Sequence, residues 1–444
     1  MRKIDVSSVI DNSTFTKTHA TVLGWCILLI LFDGYDLVVF GSVISSLKDD
    51  WGVSTSVLGT IGSLTLIGSL IGSFICGMLA DKIGRKNVII ACVLVFAVFT
   101  LLTGLTDSLI AFAFFRFFAG IGLGGIPPLV VTLTSEYSPK KMRNIMVGIM
   151  FSGYSIGGIC VALLGIWVIP NLGWQWMFYI GAIPLLLLPI IIKSMPESIY
   201  YYIKKGQLSK AQHMLSRLNT DYVPQDGDQL IIEQETKDVP VAKLFKEGRA
   251  KATILFWVIC FMGLLLVYGL STWLPQMMMA SGFALTSSLL FLLSLNIGAI
   301  IGSITGGFIA DRIGSKKVLA TLYSLGGICL FLLAFNPTVW ILYLLVAFAG
   351  AASIGAQNLN NAFISSYYPS SMRSTGLGTA LCVGRVGAII GPSLGGYLLA
   401  GSAPVYICFI AFAIPAFIAA MAIYALPMTT TNAAHRAKSI EITS

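Results

Sequence analysis

Gly77-Met-Leu-Ala-Asp81-Lys-Ile-Gly84-Arg-Lys86 returns 230 residues later as Gly307-Phe-Ile-Ala-Asp311-Arg-Ile-Gly314-Ser-Lys316. The same offset aligns Phe118-Ala119-Gly120 with Phe348-Ala349-Gly350, Tyr137 with Tyr367, Met142-Arg143 with Met372-Arg373, and Gly148 with Gly378. Several regions in one register exceed chance, so the chain carries two copies of one unit. Each decapeptide joins two long apolar segments across a very short turn, where glycine permits a tight reversal and close helix approach. Asp81 or Asp311 is expected to accept backbone N–H groups at the start of the helix that follows.

Working outward from the turns, the flanking segments are those of a membrane protein. Of 444 residues 56% are hydrophobic and 11% charged, with a mean hydropathy of +0.87, against about 25% charged in soluble domains. Apolar segments of spanning length fall near 20–47, 57–80, 87–107, 109–135, 144–169, 175–194, 251–279, 286–310, 317–335, 338–366, 374–400 and 403–426. The prediction is an all-α membrane protein of twelve transmembrane helices in two six-helix halves. An even number of segments separates the copies, which makes them parallel repeats about an axis along the membrane normal. The expected organisation is an N-terminal half at 1–194, a central loop at 195–250, and a C-terminal half with a tail at 251–444. The first apolar run is too long for a cleaved signal peptide and is expected to stay in the mature chain.

All 28 Lys and Arg except Lys48, Arg116 and Arg385 fall in the N-terminus, the even-numbered loops, the central loop or the tail. Basic residues resist translocation, so both termini are expected on the cytoplasmic side. The net charge of +9 follows from this asymmetry and implies no nucleic-acid partner. Within the central loop, Ser209–Leu218 has apolar residues at helical spacing and is predicted to be a surface helix. Asp221 to Asp238 and the tail from Thr429 to Ser444 are predicted to be flexible.

The eight cysteines, Cys26, Cys76, Cys92, Cys160, Cys260, Cys329, Cys382 and Cys408, show no paired spacing and are read as small packing residues. His19, His213 and His435 all lie outside the predicted hydrocarbon. No metal or nucleophile constellation is visible, and the chain is not read as an enzyme.

The informative polar residues are inside the apolar segments. Asp33-Gly-Tyr-Asp36 places two carboxylates on one helical face, where an ionisable group costs a few kcal/mol and usually serves an ion or substrate. Proton handling is the expected role; the competing reading is an interfacial position or static hydrogen bonds between helices. At ~1.5 Å per residue in a ~30 Å core, Asp33 lies about 20 Å, and Arg116 and Arg385 about 18 Å, from the cytoplasmic side. Asp36 is a turn further out. Guanidinium groups keep their charge when buried and grip carboxylates bidentately, which points to an anionic substrate at a central site. Arg116 has a second reading, as the structural partner of Asp33 or Asp36, and Arg116-Phe-Phe-Ala-Gly120-Ile-Gly-Leu-Gly124 is also suited to close packing. Tyr35, Phe40, Phe117, Tyr154, Tyr268 and Trp273 are candidates to stack on a planar ring. Gln357-Asn358-Leu-Asn360-Asn361 either lines the path or hydrogen-bonds between helices. Asn296 is placed near the midplane.

The repeated loop resembles the signature between helices 2 and 3, and again between helices 8 and 9, of the major facilitator superfamily. That resemblance implies the superfamily's fold, with Asp81, Arg85, Glu136, Arg143, Asp311, Arg312 and Arg373 in conformational gating. Pro196-Glu197-Ser198 resembles the Pro-Glu-Ser element after helix 6 of sugar-porter-like members, and its expected work is to brace the two halves.

A narrower resemblance covers nearly the whole chain. Asp33-Gly-Tyr-Asp36-Leu-Val-Val-Phe-Gly41, Trp273-Leu-Pro275, Tyr367-Tyr-Pro369 with Met372-Arg373-Ser-Thr-Gly376, and Gly384-Arg385-Val-Gly387-Ala-Ile-Ile-Gly391-Pro392 look like the aromatic acid:proton symporter family. The resemblance implies uptake of a benzoate-like or hydroxybenzoate-like carboxylate by alternating access. It places Asp33 and Asp36 in proton coupling, and Arg116 and Arg385 in transport. It further implies a monomer in the cytoplasmic (inner) membrane, with the substrate, the proton and the bilayer as partners and no cofactor beyond the coupling proton. Tyr35, Tyr154, Tyr268, Asn296, Gln357 and Asn358 complete the expected substrate-binding set. Niacin and other organic-acid symporters share much of the pattern, and sugar-like transport on the same fold is a further alternative. A proton-coupled exporter is the runner-up: the antiporter pattern Gly-x-x-x-Gly-Pro-x-x-Gly-Gly occurs at Gly387–Gly396, although Tyr154-Ser-Ile-Gly157-Gly158 has no Pro. A non-transporting membrane sensor is the remaining class.

Overall fold

The computed structural model describes residues 2–225, 228–231, 241–246, 248–369, 372–401 and 404–427. The tail from Thr429, and residues 232–238 of the stretch predicted to be flexible, lie outside them. The chain opens with strand β1 (Lys3–Asp5), helix α1 (Val6–Asp11) and then α2 (Lys17–Trp51), α3 (Thr55–Ile83), α4 (Arg85–Leu105), α5 (Leu109–Glu136) and α6 (Arg143–Leu172). Next come α7 (Gln175–Gly181), α8 (Pro184–Ser194), α9 (Ile199–Lys204), α10 (Leu208–Leu218) and strand β2 (Gln229–Ile231). The remainder is α11 (Ala250–Ala280), α12 (Leu285–Ile313), α13 (Ser315–Leu333), α14 (Val339–Gly350), α15 (Ala356–Tyr367), α16 (Arg373–Ala400) and α17 (Val405–Ala425). Among the described residues, 12 helical stretches are long and apolar enough to cross a membrane, and they coincide with the twelve predicted segments. One of them is the α7–α8 pair, and another is α14–α15, joined by the π-wound turn Ala351–Gly355.

Two compact units result. The first draws on residues within Met1–Glu235, Ser271–Leu293 and Pro392–Gly401; the second draws on Thr236–Leu270, Ser294–Gly391 and Ser402–Ser444. In membranes the hydrophobic effect does not drive helices together, so association rests on close packing over small residues. The repeat is visible as that packing. In the first unit Gly68 lies against the Phe117 carbonyl, Gly120 against Thr65 and Gly157 against Leu31. In the second, Gly298 lies against the Ala347 carbonyl, Gly350 against Leu295 and Gly387 against Phe261. Each contact is its counterpart displaced by 230 positions at both ends, so the sequence repeat is a repeat of helix crossings. A Cβ at any of these glycines would meet backbone and force the helices apart.

The tight turns behave differently from expectation. Gly84 and Gly314 adopt φ of 97° and 92°, a region that only glycine enters cheaply. Asp81 and Asp311 sit in the last turns of α3 and α12 and are exposed, so neither caps the following helix. Glu197 does that work in the first unit: its Oε1 accepts from Lys86 N at 3.0 Å and from Ser198 N at 2.8 Å. A Cβ on Gly84 would collide with this carboxylate, and Tyr137 donates to the Glu197 carbonyl at 2.6 Å. The Pro-Glu-Ser element thus binds the turn of its own unit. In the second unit Lys316 Nζ donates to the Leu426 carbonyl at 2.5 Å beside the equivalent turn.

The predicted surface helix is α10, which buries Ala211, Leu215 and Leu218. The N-terminal arm packs beside it. β1 and β2 form a parallel pair in the register Lys3↔Gln229, Ile4↔Leu230 and Asp5↔Ile231, locked by the Arg2 guanidinium on Asp228 at 3.0 and 2.9 Å. That guanidinium holds the Asp228 carboxyl below its usual range.

Candidate functional site

The polar centre of the first unit is built where α2, α4, α5 and α7 meet. Gly34 has no side chain to separate α2 from the Tyr154 backbone on α6. Tyr35, 2% exposed, donates its hydroxyl to the Met177 carbonyl at 2.8 Å and so fixes the rotation of α2 against α7. One residue on, Asp36 faces Arg116 of α5. Nη1 and Nη2 of Arg116 reach Oδ1 and Oδ2 of Asp36 at 2.7 and 2.9 Å, with the side chains 2% and 1% exposed. This is the parallel two-bond fork that charge-assisted pairs favour. Thr100 Oγ1 of α4 lies 3.5 Å from the same Oδ1.

Aromatic rings shield the pair. The guanidinium carbon lies 5.9 Å from the Phe40 ring centroid and 5.7 Å from that of Phe178, within cation–π range. Phe112 packs edge-on to Phe178 at 5.6 Å, Trp51 at 5.2 Å and Trp174 at 6.0 Å, and Trp174 Nε1 donates to Asp50 at 2.7 Å. Arg116 Nε, also buried, has no hydrogen-bond partner among the described residues. Of the two readings of Arg116, the structure places it with a carboxylate of its own chain. Asp33, one turn earlier, is half-buried, so the two aspartates that share a helix face have different surroundings.

The second unit holds Arg385, Tyr268, Asn296, Gln357 and Asn358. Arg385 is half-buried on α16, between Gly384 and Gly387, which press that helix against Cys260 and Phe261 of α11. Tyr268 packs against Val267, Ala299 and Ile354. Asn296 is buried on α12. The amide-rich run hydrogen-bonds between helices: Asn358 Nδ2 donates to Ser303 at 3.2 Å, and Gln357 and Asn360 donate to the Cys260 sulfur at 3.9 and 3.3 Å. Gln357 also donates to Asn361 at 3.2 Å. Gln357 Oε1, Asn360 Oδ1 and the Tyr323 hydroxyl are buried without hydrogen-bond partners among the described residues, and the first and last of these flank Gly263. The run begins just after the π-wound turn, a distortion that often accompanies functional positions.

Among the candidate stacking rings, Trp273 is fully buried and donates to the Pro392 carbonyl at 2.7 Å, and Phe117 packs on Phe118 at 5.4 Å. Of the gating residues, Arg85 pairs with Glu136. Arg143 donates to Asp11 at 2.6 Å and to the Ser135 and Ser138 carbonyls at 3.1 and 3.3 Å. Arg312 and Arg373 are exposed. Sequence reasoning missed Thr100 and Phe178, it singled out Glu197 without its capping contact, and it read all the cysteines as unpaired packing groups. Cys76 and Cys92 in fact touch, with sulfurs 3.4 Å apart. The signal was present, because each is eight residues from Gly84 and a tight antiparallel turn brings such positions together.

The model of the Major Facilitator Superfamily matches residues 26–306 and 291–442. The chain is 42% identical over 431 residues to a benzoate transport protein of Acinetobacter baylyi, covering 95% of this chain and 92% of that one. It is 37% identical to a gentisate transporter of Corynebacterium glutamicum, covering 95% and 91%. Among solved structures, the xylose transporter XylE from E. coli, in a partially occluded inward-open conformation, superposes with a TM-score of 0.72 at 18% identity, covering 94% of this chain and 99% of that one.

Proposed function

Within the Major Facilitator Superfamily, to which this chain belongs, we propose that the protein is a proton-coupled symporter that takes up a small aromatic carboxylate, such as benzoate or a hydroxybenzoate, by alternating access. The observation that carries the reading is the buried fork between Asp36 and Arg116, in a chain whose relatives carry benzoate and gentisate. A carboxylic acid with an ordinary pKa near 4.3 is an anion at pH 7. Driving it alone into a negative-inside cell costs about 2.3 kcal/mol per 100 mV, and a co-transported proton removes that cost.

The fork supplies a means of coupling. Both terminal nitrogens of Arg116 are engaged by Asp36, so a second carboxylate gains this end-on fork only if Asp36 gives it up. Protonation removes the Asp36 charge and frees the fork; without it, two anions would compete for one cation in a dry site, at a cost of several kcal/mol. Asp33, half-buried, is assigned to proton exchange with the aqueous path. Arg385 is assigned to the substrate carboxylate, and Tyr154, Tyr268, Asn296, Gln357 and Asn358 to the ring and its substituents. Asp81, Arg85, Glu136, Arg143, Asp311, Arg312 and Arg373 are assigned to gating. The basic loops support a multi-pass protein of the inner membrane with both termini cytoplasmic, acting as a monomer.

Counterflow and pH-driven uptake in proteoliposomes test this, with benzoate, hydroxybenzoates, pyridine carboxylates, aliphatic acids and the neutral amides. Accumulation should require the pH gradient, collapse with a protonophore, and fail in Asp36→Asn and Asp33→Asn. Arg385→Lys should weaken affinity by roughly 10- to 100-fold, because the ammonium keeps the charge and loses the fork. Equal handling of acid and amide, or undiminished accumulation in both Asn variants, overturns the reading.

A further inference from the structure

We propose that His19, in the first turn of α2, is a pH-sensitive latch that ties the N-terminal arm to that helix when neutral and releases it when protonated. The ring is fully buried, and its hydrogen bonds assign its proton. Thr16 N donates to Nδ1 at 3.0 Å; a backbone N–H can only donate, so Nδ1 is bare and the ring proton is on Nε2. Nε2 then donates to Ser13 Oγ at 3.3 Å, and Ser13 Oγ donates to the Ile10 carbonyl at 2.6 Å. The three bonds run in one direction, from the start of α2 to the last turn of α1. His19 takes the place that Glu or Gln holds in a capping box, with the difference that its acceptor titrates near neutral pH.

A proton on Nδ1 reverses the first link. The Thr16 hydroxyl, 2.8 Å away, can still accept from it, but the Thr16 N–H is left facing a charged N–H in a buried site, where an unsatisfied donor is costly. The charged and titratable groups on the elements that meet here are Lys17 of α2, Lys140 and Arg143 at the α5–α6 turn, His213 and Arg217 of α10, and Asp11 of α1. Asp11, the one carboxylate among these, is engaged by Arg143 at 2.6 Å, and among the described residues no ion pair involves the ring. Arg217 meets the latch through its carbonyl, 3.3 Å from the Thr16 hydroxyl. Phe15 stacks on the ring at 5.7 Å and is 47% exposed, so one face of the imidazole is covered by a side chain that itself meets solvent. The position does not require a titratable group, since 230 residues on it is held by Arg249, whose charge does not change with pH.

Because only the released form accepts the proton, the latch is fully engaged above the ordinary histidine value of about 6.5 and loosens as pH falls below it. The far end of the arm stays tethered, since the Arg2–Asp228 pair keeps both its charges in this range. α2 also carries Asp36, and on the reading proposed above the protons delivered with the substrate enter the compartment that the latch faces. The test does not depend on that reading, because it uses the full-length protein in detergent without substrate or gradient. Hydrogen exchange, corrected for the intrinsic rate, should show protection of the Thr16 amide falling about tenfold from pH 7.5 to pH 5.5, while that of Ile4 and Leu230 stays constant. His19→Gln keeps an acceptor that does not titrate and should make the protection independent of pH; His19→Ala should lower it at both values. Nitrogen NMR of labelled histidine, with His213→Asn and His435→Asn leaving His19 as the sole signal, gives an answer that leaves the latch itself unaltered, and should show a neutral ring protonated on Nε2 at pH 7.5. Flat protection in the parent, the same fall in the Gln variant, or a ring protonated on Nδ1 at pH 7.5 overturns the proposal.

Discussion

The two halves make the same helix crossings and fill them with opposite chemistry. At the centre of the first unit Asp36 and Arg116 form a buried ion pair; 230 positions on, Leu266 and Val346 are buried hydrocarbon. Conversely, the neutral polar cluster of the second unit, Cys260, Tyr323, Gln357 and Asn360, corresponds to Ile30, Val93, Pro127 and Val130 in the first. Asp33 itself corresponds to Gly263, beside which Gln357 Oε1 and the Tyr323 hydroxyl lie. The glycine crossings occur in both copies, whereas each polar set occurs in only one. One copy holds a buried ion pair at this level and the other a neutral polar cluster, a division that accords with the proposed assignment of proton coupling to the first half.

Removing one charge gives the largest expected effect. Arg116→Ala leaves Asp36 buried and unpaired and should destabilise the protein by about 3–5 kcal/mol, measured by thermal unfolding in detergent. Adding Asp36→Leu, which copies the second half, should restore most of that stability while leaving pH-driven uptake abolished. If the double variant remains as unstable as the single one, the pair is part of the fold and the contrast between the halves fails.

The cluster around Gly263 sharpens the other side. A methyl at Gly263→Ala meets Gln357 and Tyr323, and overpacking of this kind costs about 1–3 kcal/mol. Tyr323→Phe removes a hydroxyl that has no hydrogen-bond partner among the described residues and should be neutral or slightly stabilising. A loss above about 1 kcal/mol on Tyr323→Phe would mean that the hydroxyl is satisfied by bound water. Glu197→Ala removes the cap of α4 and should cost about 1–2 kcal/mol, seen as faster hydrogen exchange at Lys86. No such loss would show the Gly84 turn to be as self-sufficient as that of Gly314.

The smallest effect concerns the N-terminal arm, which has no equivalent among the described residues of the second unit. Asp228 is held below the usual carboxylate range by Arg2. Its contribution is therefore fully present above the unfolded value of about 3.9 and is lost as pH falls through the lower folded value. Exchange protection of Ile4 and Leu230 should hold at pH 7 and fade only in acid, and Asp228→Asn should lower it at pH 7 and converge with the parent in acid.

Much of this was legible beforehand because membranes restrict the choices. Apolar length, basic loops and the 230-residue register lead directly to twelve spans in two copies, and Gly120-x-x-x-Gly124 announced its close packing. The partner of Arg116 was not legible. Asp33 and Asp36 share a face, and a small helix rotation decides which one meets α5; that rotation is set by Gly34 against α6 and Tyr35 against Met177. Glu197 was likewise hidden, because it is 111 residues from the amide it caps.

By itself the sequence determined the membrane class, the duplicated six-helix plan and the residues able to carry charge through hydrocarbon, because insertion energetics act on each segment separately. Only the tertiary structure decided that Asp36 takes the Arg116 fork, that Glu197 caps the turn, and that Cys76 meets Cys92. Those are contacts between helices, and their free energies depend on rotations and separations of a few ångströms that the packing of several helices sets together.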